Sequence, residues 1–262
     1  MCDFSGIGDF FDDVGDFVRD VVDVVVDVVE DVVGWLIPQP DIPEFGDDYA
    51  EQQAQGILVN KFRANASIPV VYGTRKVGGN VVFLETSGTD NQYLYMALVL
   101  SEGEINSVET LFVNENQVTL SGALTDGTQR TVASSDSNFF ADSSLITVEA
   151  HLGTDSQSAS TLLSTLTSWT SNHRLRGLAY LALRFEWNAD KFGSLPKVQA
   201  IIKGRKVYNP NLDGTVTGGS GSHRADTSTT WEYSDNPILQ LLDYLRNDRF
   251  GMGIPNSYFD SN

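Results

Sequence analysis

One cysteine, Cys2, stands in 262 residues, so no intrachain disulfide can form. That composition suits folding in a reducing cytoplasm. Histidine is nearly as scarce. His151, His173 and His223 lie far apart without ligand spacing, and neither a metal nor a cofactor is expected. Basic residues are few: 17 Lys/Arg face 35 Asp/Glu, for a net charge of −18. A chain this acidic is poorly suited to wrap DNA or coat anionic membranes. The N-terminus lacks a basic stretch ahead of its apolar residues, so a secretory signal is not expected. Long uncharged apolar runs are missing as well. Every 18-residue window of the N-terminal stretch contains Asp. Each Asp at mid-bilayer costs about 2.5–3.5 kcal/mol, so no stable membrane span is expected.

The acidity is concentrated. Residues 1–51 hold fifteen Asp/Glu and one Arg, or −14, and the other 211 residues carry about −4. Within "FFDDVGDFVRDVVDVVVDVVEDVVGWLIPQP", Asp9, Asp13, Asp16, Asp20, Asp23, Asp27 and Glu30 advance in steps of four and three. Val14, Val18, Val21, Val25, Val28 and Val32 do the same. Valine favours strands, but this spacing is helical and forms a heptad seam with valine at both core positions. Residues 1–37 therefore read as an amphipathic helix that bundles with copies of itself. β-Branched residues at both seam positions favour three strands or more. Pro38, Pro40 and Pro43 end the helix, and residues 38–56 read as a Pro-rich, polar linker.

From Ile57 the pattern becomes β. Strands are expected in "GILVNKF", on both sides of Gly78-Gly79, in "NQYLYMALVL" and in "TVEAHLG". Two more are expected in "GLAYLALRFEW" and "PKVQAIIKGRKVYN", and "SVETLFVNENQVTL" reads as a hairpin turning at Asn114–Asn116. "STLLSTLTSWTSNH" reads as a short helix with Leu162, Leu163 and Leu166 on one side. In "NPILQLLDYLR", Asn236 is an N-cap and Pro237 the first helical residue, and Ile238, Leu241, Leu242 and Leu245 form the apolar face. The fold class is mainly β with short helices (α+β). Residues 57–235 form the β-rich body, with an inserted subdomain at about 105–170, and 236–262 carry the helix and the start of the next region. The absence of βαβ alternation speaks against a doubly wound nucleotide fold.

"SIPVVYGTRKVGGNVVF" carries glycines and adjacent basic residues, but it leads into a strand and lacks the Gly-Lys-Ser/Thr of a phosphate loop. Serine–histidine neighbours such as "SNH" and "SGSH" supply no nucleophile elbow. "NLDGT" lacks the alternating carboxylates of a calcium loop. Glu186 and Asp190 are the one carboxylate pair suited to acid–base work, and they also read as a solvated strand end. No catalytic constellation emerges, and an enzyme is not expected.

Three stretches together resemble one family. "IPVVYGTRKVGG" (68–79), "RGLAYLALRFEWNADKFGSLPKVQAIIKGRKVYNP" (176–210) and "NPILQLLDYLRNDRFGMGI" (236–254) follow its order of motifs. The family is the tip attachment, or host-specificity, protein J of lambda-like long-tailed phages and related gene transfer agents. The resemblance implies a trimeric baseplate hub of β-barrel-like domains that closes the distal end of the tail tube without catalysis. It implies a structural turn formed by Tyr72, Gly73, Thr74, Arg75 and Gly78, a barrel strand ending at Arg205 and Tyr208, and a helix opening at Pro237. Implied partners are two further copies, distal tail and tail tube proteins, the tape-measure protein and the tail fibre, with DNA passing through the lumen unbound. Localisation follows as the virion tail tip, with assembly in the host cytoplasm. Family members are longer, and this chain ends at "NSYFDSN", so a receptor-binding C-terminal part is not expected within it. In a trimer the valine seams would meet on the axis and plug the lumen, each buried valine contributing about 1.5–2 kcal/mol. The alternative from the residues is a secreted or surface β-domain adhesin with a coiled-coil stalk, which would need a secretion signal. A tail-borne hydrolase stands third and would need a paired catalytic set.

Overall fold

The computed structural model describes residues 60–62, 66–192 and 194–259. The N-terminal helix, its valine seam and most of the linker lie outside the described residues. Ten strands and one α-helix make up the regular structure among those described. They are β1 (Thr74–Val77), β2 (Asn80–Ser87), β3 (Tyr93–Glu102), β4 (Ile105–Val113) and β5 (Asn116–Val118). β6 (Gln129–Thr131), β7 (Ile146–Leu152), β8 (Leu178–Glu186), β9 (Val198–Val207) and β10 (Glu232–Tyr233) follow, then α1 (Pro237–Arg246). The mainly-β expectation holds.

The strands form two five-stranded antiparallel sheets. The first has the order β2-β3-β8-β7-β6; the second has β1-β9-β4-β5, with β10 added on β9. One core lies between them. Leu94, Met96, Leu98 and Leu100 of β3, Ile146 and Val148 of β7, and Leu181, Leu183 and Phe185 of β8 meet Ile105, Leu111 and Val113 of β4 and Val198 and Ile202 of β9. The alternate residues of β3 and β8 are buried too. Tyr95, Ala97, Val99, Tyr180 and Ala182 pack under Leu162, Leu163, Leu166 and Trp169. The long β7–β8 connection is thus a lid on the outer face of the first sheet. Burial on both faces explains why "LYMALVL" is continuously apolar.

Two expectations change. β1 and β2 are not partners: β1 pairs with β9 and β2 with β3, so Gly78-Gly79 is a crossover between sheets. Gly79 has φ 74°, and a Cβ there would sit 2.5 Å from the Val99 carbonyl oxygen. The expected helix after Ser160 is only a 3₁₀ turn, Leu163–Thr165. Its Ser/Thr side chains bond local backbone instead: Ser164 Oγ donates to the Ser160 carbonyl (2.6 Å) and Thr165 Oγ1 to that of Leu162 (2.8 Å). The β4–β5 hairpin turns where expected, with Asn114 at φ 48° and Glu115 at φ 67°. Residues 105–152 supply β4 to the second sheet and β7 to the first.

Candidate functional site

Three sequence stretches, far apart in the chain, meet at one polar node. Tyr72 Oη donates to Asp243 Oδ2 at 2.5 Å, and Arg205 Nε donates to the same oxygen at 2.8 Å. Asp243 is on α1 and 5% exposed. Arg205 is near the end of β9, and its guanidinium also lies 5.2 Å from the centroid of the Phe250 ring. Burial, then the bond to Asp243, pushes the Tyr72 hydroxyl pKa far above its ordinary value, so it remains a donor.

The backbone around Tyr72 ties the two sheets together. Glu102 N–H donates to the Pro69 carbonyl (2.9 Å), and Val71 N–H to Ser101 Oγ (3.2 Å), both at the end of β3. Arg205 N–H donates to Val71 (2.7 Å) and Gly204 N–H to Gly73 (2.9 Å), both on β9. Gly204 has no room for a side chain, since a Cβ would stand 2.1 Å from the Val71 oxygen. Gly73, at φ 65°, turns the chain into β1. Thr74 and Arg75 already belong to that strand; Thr74 Oγ1 lies 2.9 Å from Tyr233 Oη, and Arg75 is exposed. Gly78 is in the crossover, and its carbonyl accepts from Asn60. The stretch that looked like a phosphate loop is a clamp between sheets.

Tyr208 follows β9 and donates to Asp213 (2.8 Å), which also accepts from Thr215 Oγ1 (2.6 Å) and Arg224 (3.0 Å). The Thr215 hydroxyl bond is the chief cause that brings the Asp213 carboxyl down to about 2, so the "NLDGT" aspartate is used in a turn. Arg246 of α1 lies 4.8 Å from the Tyr208 ring centroid. Pro237 is the first residue of α1, and the Asn236 side chain caps it by accepting from Ile238 N–H. The apolar face of α1 differs from expectation. Leu239 and Asp243 are its buried residues, while Ile238 is 72% and Leu241 55% exposed.

A second polar cluster was not visible in the sequence. Glu149, fully buried on β7, accepts from His151 Nε2 (3.1 Å), Ser160 Oγ (2.9 Å), Thr161 Oγ1 (3.0 Å), and Thr161 and Leu162 N–H (3.1 and 2.8 Å). Burial pushes its carboxyl up, but those hydrogen bonds, led by the one from His151, outweigh it and hold the value at about 2. Serine, histidine and a carboxylate are present, yet the order is wrong for a relay. In a triad the imidazole bridges serine and acid; here the carboxylate bridges both, and His151 stacks flat on Tyr180 at 4.4 Å. The cluster anchors the start of the lid. Its sequence cue was Glu149 and His151, two residues apart in the strand "ITVEAHL". Glu186 ends β8 and Asp190 lies in the next turn, its N–H bonded to Asn188. Among the described residues no group of three His, Cys, Asp or Glu is placed to hold a metal, and no helix is long and apolar enough to cross a membrane.

No family model matches the chain. It is similar to the baseplate hub protein pb3 of Escherichia phage T5, with 25% identity over 232 aligned residues. The match covers 73% of this chain but 23% of pb3, so the chain spans about a quarter of that relative's length. Among solved structures, a chain of the virion of a native gene transfer agent particle aligns with a TM-score of 0.40 and 14% identity, covering 77% of this chain and 38% of that one. In sequence, then, this chain is similar to a phage baseplate hub protein.

Proposed function

We propose that the chain is a structural baseplate hub, or tail tip, protein of a long-tailed phage, of the protein J type. The observation that carries this reading is the similarity to a baseplate hub protein over 73% of the chain. The motif residues support it by their use: Tyr72, Arg205 and Asp243 bond one another and hold α1 on the second sheet. That is scaffolding, and the role requires no catalysis, cofactor or metal.

On this reading three copies close the distal end of the tail tube, with β-barrel-like hub domains around the axis. The six valines of residues 14–32 form the trimer seam, and the helices of residues 1–37 plug the lumen. Residues 38–56 serve as hinge. Distal tail and tail tube proteins, the tape-measure protein and the tail fibre are the neighbours. The carboxylate stripe faces outward, where it repels the phosphate backbone and keeps passing DNA from adhering. The protein is assembled in the host cytoplasm and resides at the virion tail tip.

Sedimentation of the full-length chain, paired with imaging of particles labelled on it, tests this. A trimer and a label at the distal end are expected. A chain that is monomeric both alone and in particles, or a label elsewhere on the virion, would sink the proposal.

A further inference from the structure

The lid between β7 and β8 has an outward groove of about 610 Å³, lined among others by Gln157, Ser158, Ser164, Trp169, Arg174 and Arg176. No carboxylate lines it. Several other cations are paired with carboxylates: Lys203 with Glu109, Arg205 with Asp243, Lys206 with Glu104, Arg224 with Asp213 and Arg249 with Glu102. Arg174 and Arg176 have no acidic partner among the described residues. Each engages only its Nε, Arg174 with the Ser171 carbonyl (2.9 Å) and Arg176 with that of Gln157 (3.5 Å). Their outer guanidinium nitrogens are left with hydrogens to donate. Trp169, 5% exposed, adds a buried indole N–H without an acceptor. In a chain of net charge −18, an acid-free wall with surplus donors is set up for an anion.

The wall is also held in place. Gln157 is 4% exposed and ties the two ends of the lid together. Its Oε1 accepts from Gly153 N–H at 3.0 Å, and its Nε2 donates to the carbonyls of Arg174 (2.8 Å), Leu175 and Leu178 (3.1 Å). The backbone carrying both arginines is therefore fixed before any ligand arrives, which lowers the entropy lost on binding.

We propose that this groove binds a phosphate group carried on a small molecule such as a sugar. Two guanidinium forks and the hydroxyl of Ser158 offer more donors than a carboxylate's two oxygens accept. A phosphate monoester presents three oxygens and up to two charges. The volume suits a ligand of that size, since small-molecule sites run from roughly 300 to 1,000 Å³.

The test is calorimetry on the full chain at fixed ionic strength, with glucose 6-phosphate, glucose, inorganic phosphate and a short DNA duplex as probes. Glucose 6-phosphate should bind and glucose should not. Inorganic phosphate binding as tightly would support the site and show that the carrier adds nothing; weaker binding would support it and show that the sugar is read too. Arg174→Gln and Arg176→Gln should each weaken binding at least about tenfold, the scale of one charge-assisted hydrogen bond. Lys197→Gln, at an exposed cation elsewhere, should leave it unchanged. In the parent protein the Trp169 indole N–H resonance should shift on adding the sugar phosphate, a readout independent of any variant. An unmoved resonance, affinities unaltered in both arginine variants, or no heat from either phosphate at millimolar concentration would overturn the proposal. Duplex DNA binding more tightly than the sugar phosphate, and through the same arginines, would overturn it in favour of a nucleic-acid surface.

Discussion

Asp243→Ala is the sharpest test of how α1 is held. The carboxylate is 5% exposed and receives two donors, the Tyr72 hydroxyl and Arg205 Nε, on one oxygen. Removing it leaves a guanidinium whose side chain is 15% exposed, with the Phe250 ring as its remaining neighbour of opposite character. Breaking a buried ion pair from one side costs about 3–5 kcal/mol, because the surviving charge stays desolvated. Arg205 keeps some contact with water, so the lower half of that range applies, and the orphaned Tyr72 hydroxyl brings the sum back toward about 4 kcal/mol. In urea, with a slope of about 2 kcal/mol per molar, the unfolding midpoint should fall by about 2 M. Tyr72→Phe, which removes one donor and leaves the ion pair, should cost about 1.5–3 kcal/mol. The double variant Arg205→Met, Asp243→Leu removes both charges, and it should recover most of the loss because no buried charge is left unpaired. A stability of Asp243→Ala within about 0.5 kcal/mol of the parent, the scatter of an ordinary surface change, would refute the reasoning. So would a double variant as unstable as the single one.

Glu149 makes the lid acid-sensitive. Its folded carboxyl is held at about 2 against an ordinary 4.5, so its contribution is complete above pH 4.5 and drains away as the pH falls toward 2. Thermal unfolding across that window should show a drop that Glu149→Gln flattens. Gly204→Ala would drive a Cβ to 2.1 Å from the Val71 oxygen and should cost at least about 1–3 kcal/mol by chemical denaturation. Gly177→Ala meets nothing within 4 Å and bears only the strain of φ 73°, about 1–2 kcal/mol. Leu239→Ala, at 8% exposure, should cost about 2–5 kcal/mol, while Ile238→Gln and Leu241→Gln should stay within about 0.5 kcal/mol of the parent. Deleting residues 1–37 should leave particles that assemble but release DNA early on warming; deletion particles that hold DNA like the parent would rule out the plug.

Much of the fold was legible because its causes are local. The β4–β5 turn announces itself in "VNENQV", and the doubly covered strands β3 and β8 in their unbroken apolar runs. What failed depends on partners distant in sequence. A glycine turn between two strand patterns reads as a hairpin, and nothing in "VGGNVV" reveals that its flanks enter different sheets. The leucines of the lid have helical spacing, but the Ser164 and Thr165 hydroxyls bond the carbonyls of Ser160 and Leu162 and only a single 3₁₀ turn forms, which Glu149 pins through the N–H groups of Thr161 and Leu162. Of the candidate site, the motifs were visible as three separate stretches. Their meeting was not, because Tyr72 and Asp243 lie 171 positions apart.

The α1 helix shows why this matters. Hydrophobic periodicity alone orients it with Ile238, Leu241, Leu242 and Leu245 inward, since an inward aspartate is unfavourable in that scheme. The helix instead turns Asp243 toward the sheet, because Arg205 and Tyr72 already stand there as donors. Leaving Arg205 buried without its carboxylate would cost about 3–5 kcal/mol, comparable with the roughly 3–6 kcal/mol of exposing two aliphatic side chains, and Leu239 is buried in exchange. One ion pair therefore sets the rotation of the helix about its axis, and Leu239, four residues before Asp243, is carried inward with it. Leucine contacts alone tolerate sliding and rotation, whereas two directional hydrogen bonds to one oxygen do not. A buried polar triad can thus fix geometry: Tyr72, Arg205 and Asp243, drawn from three separate stretches, position the helix.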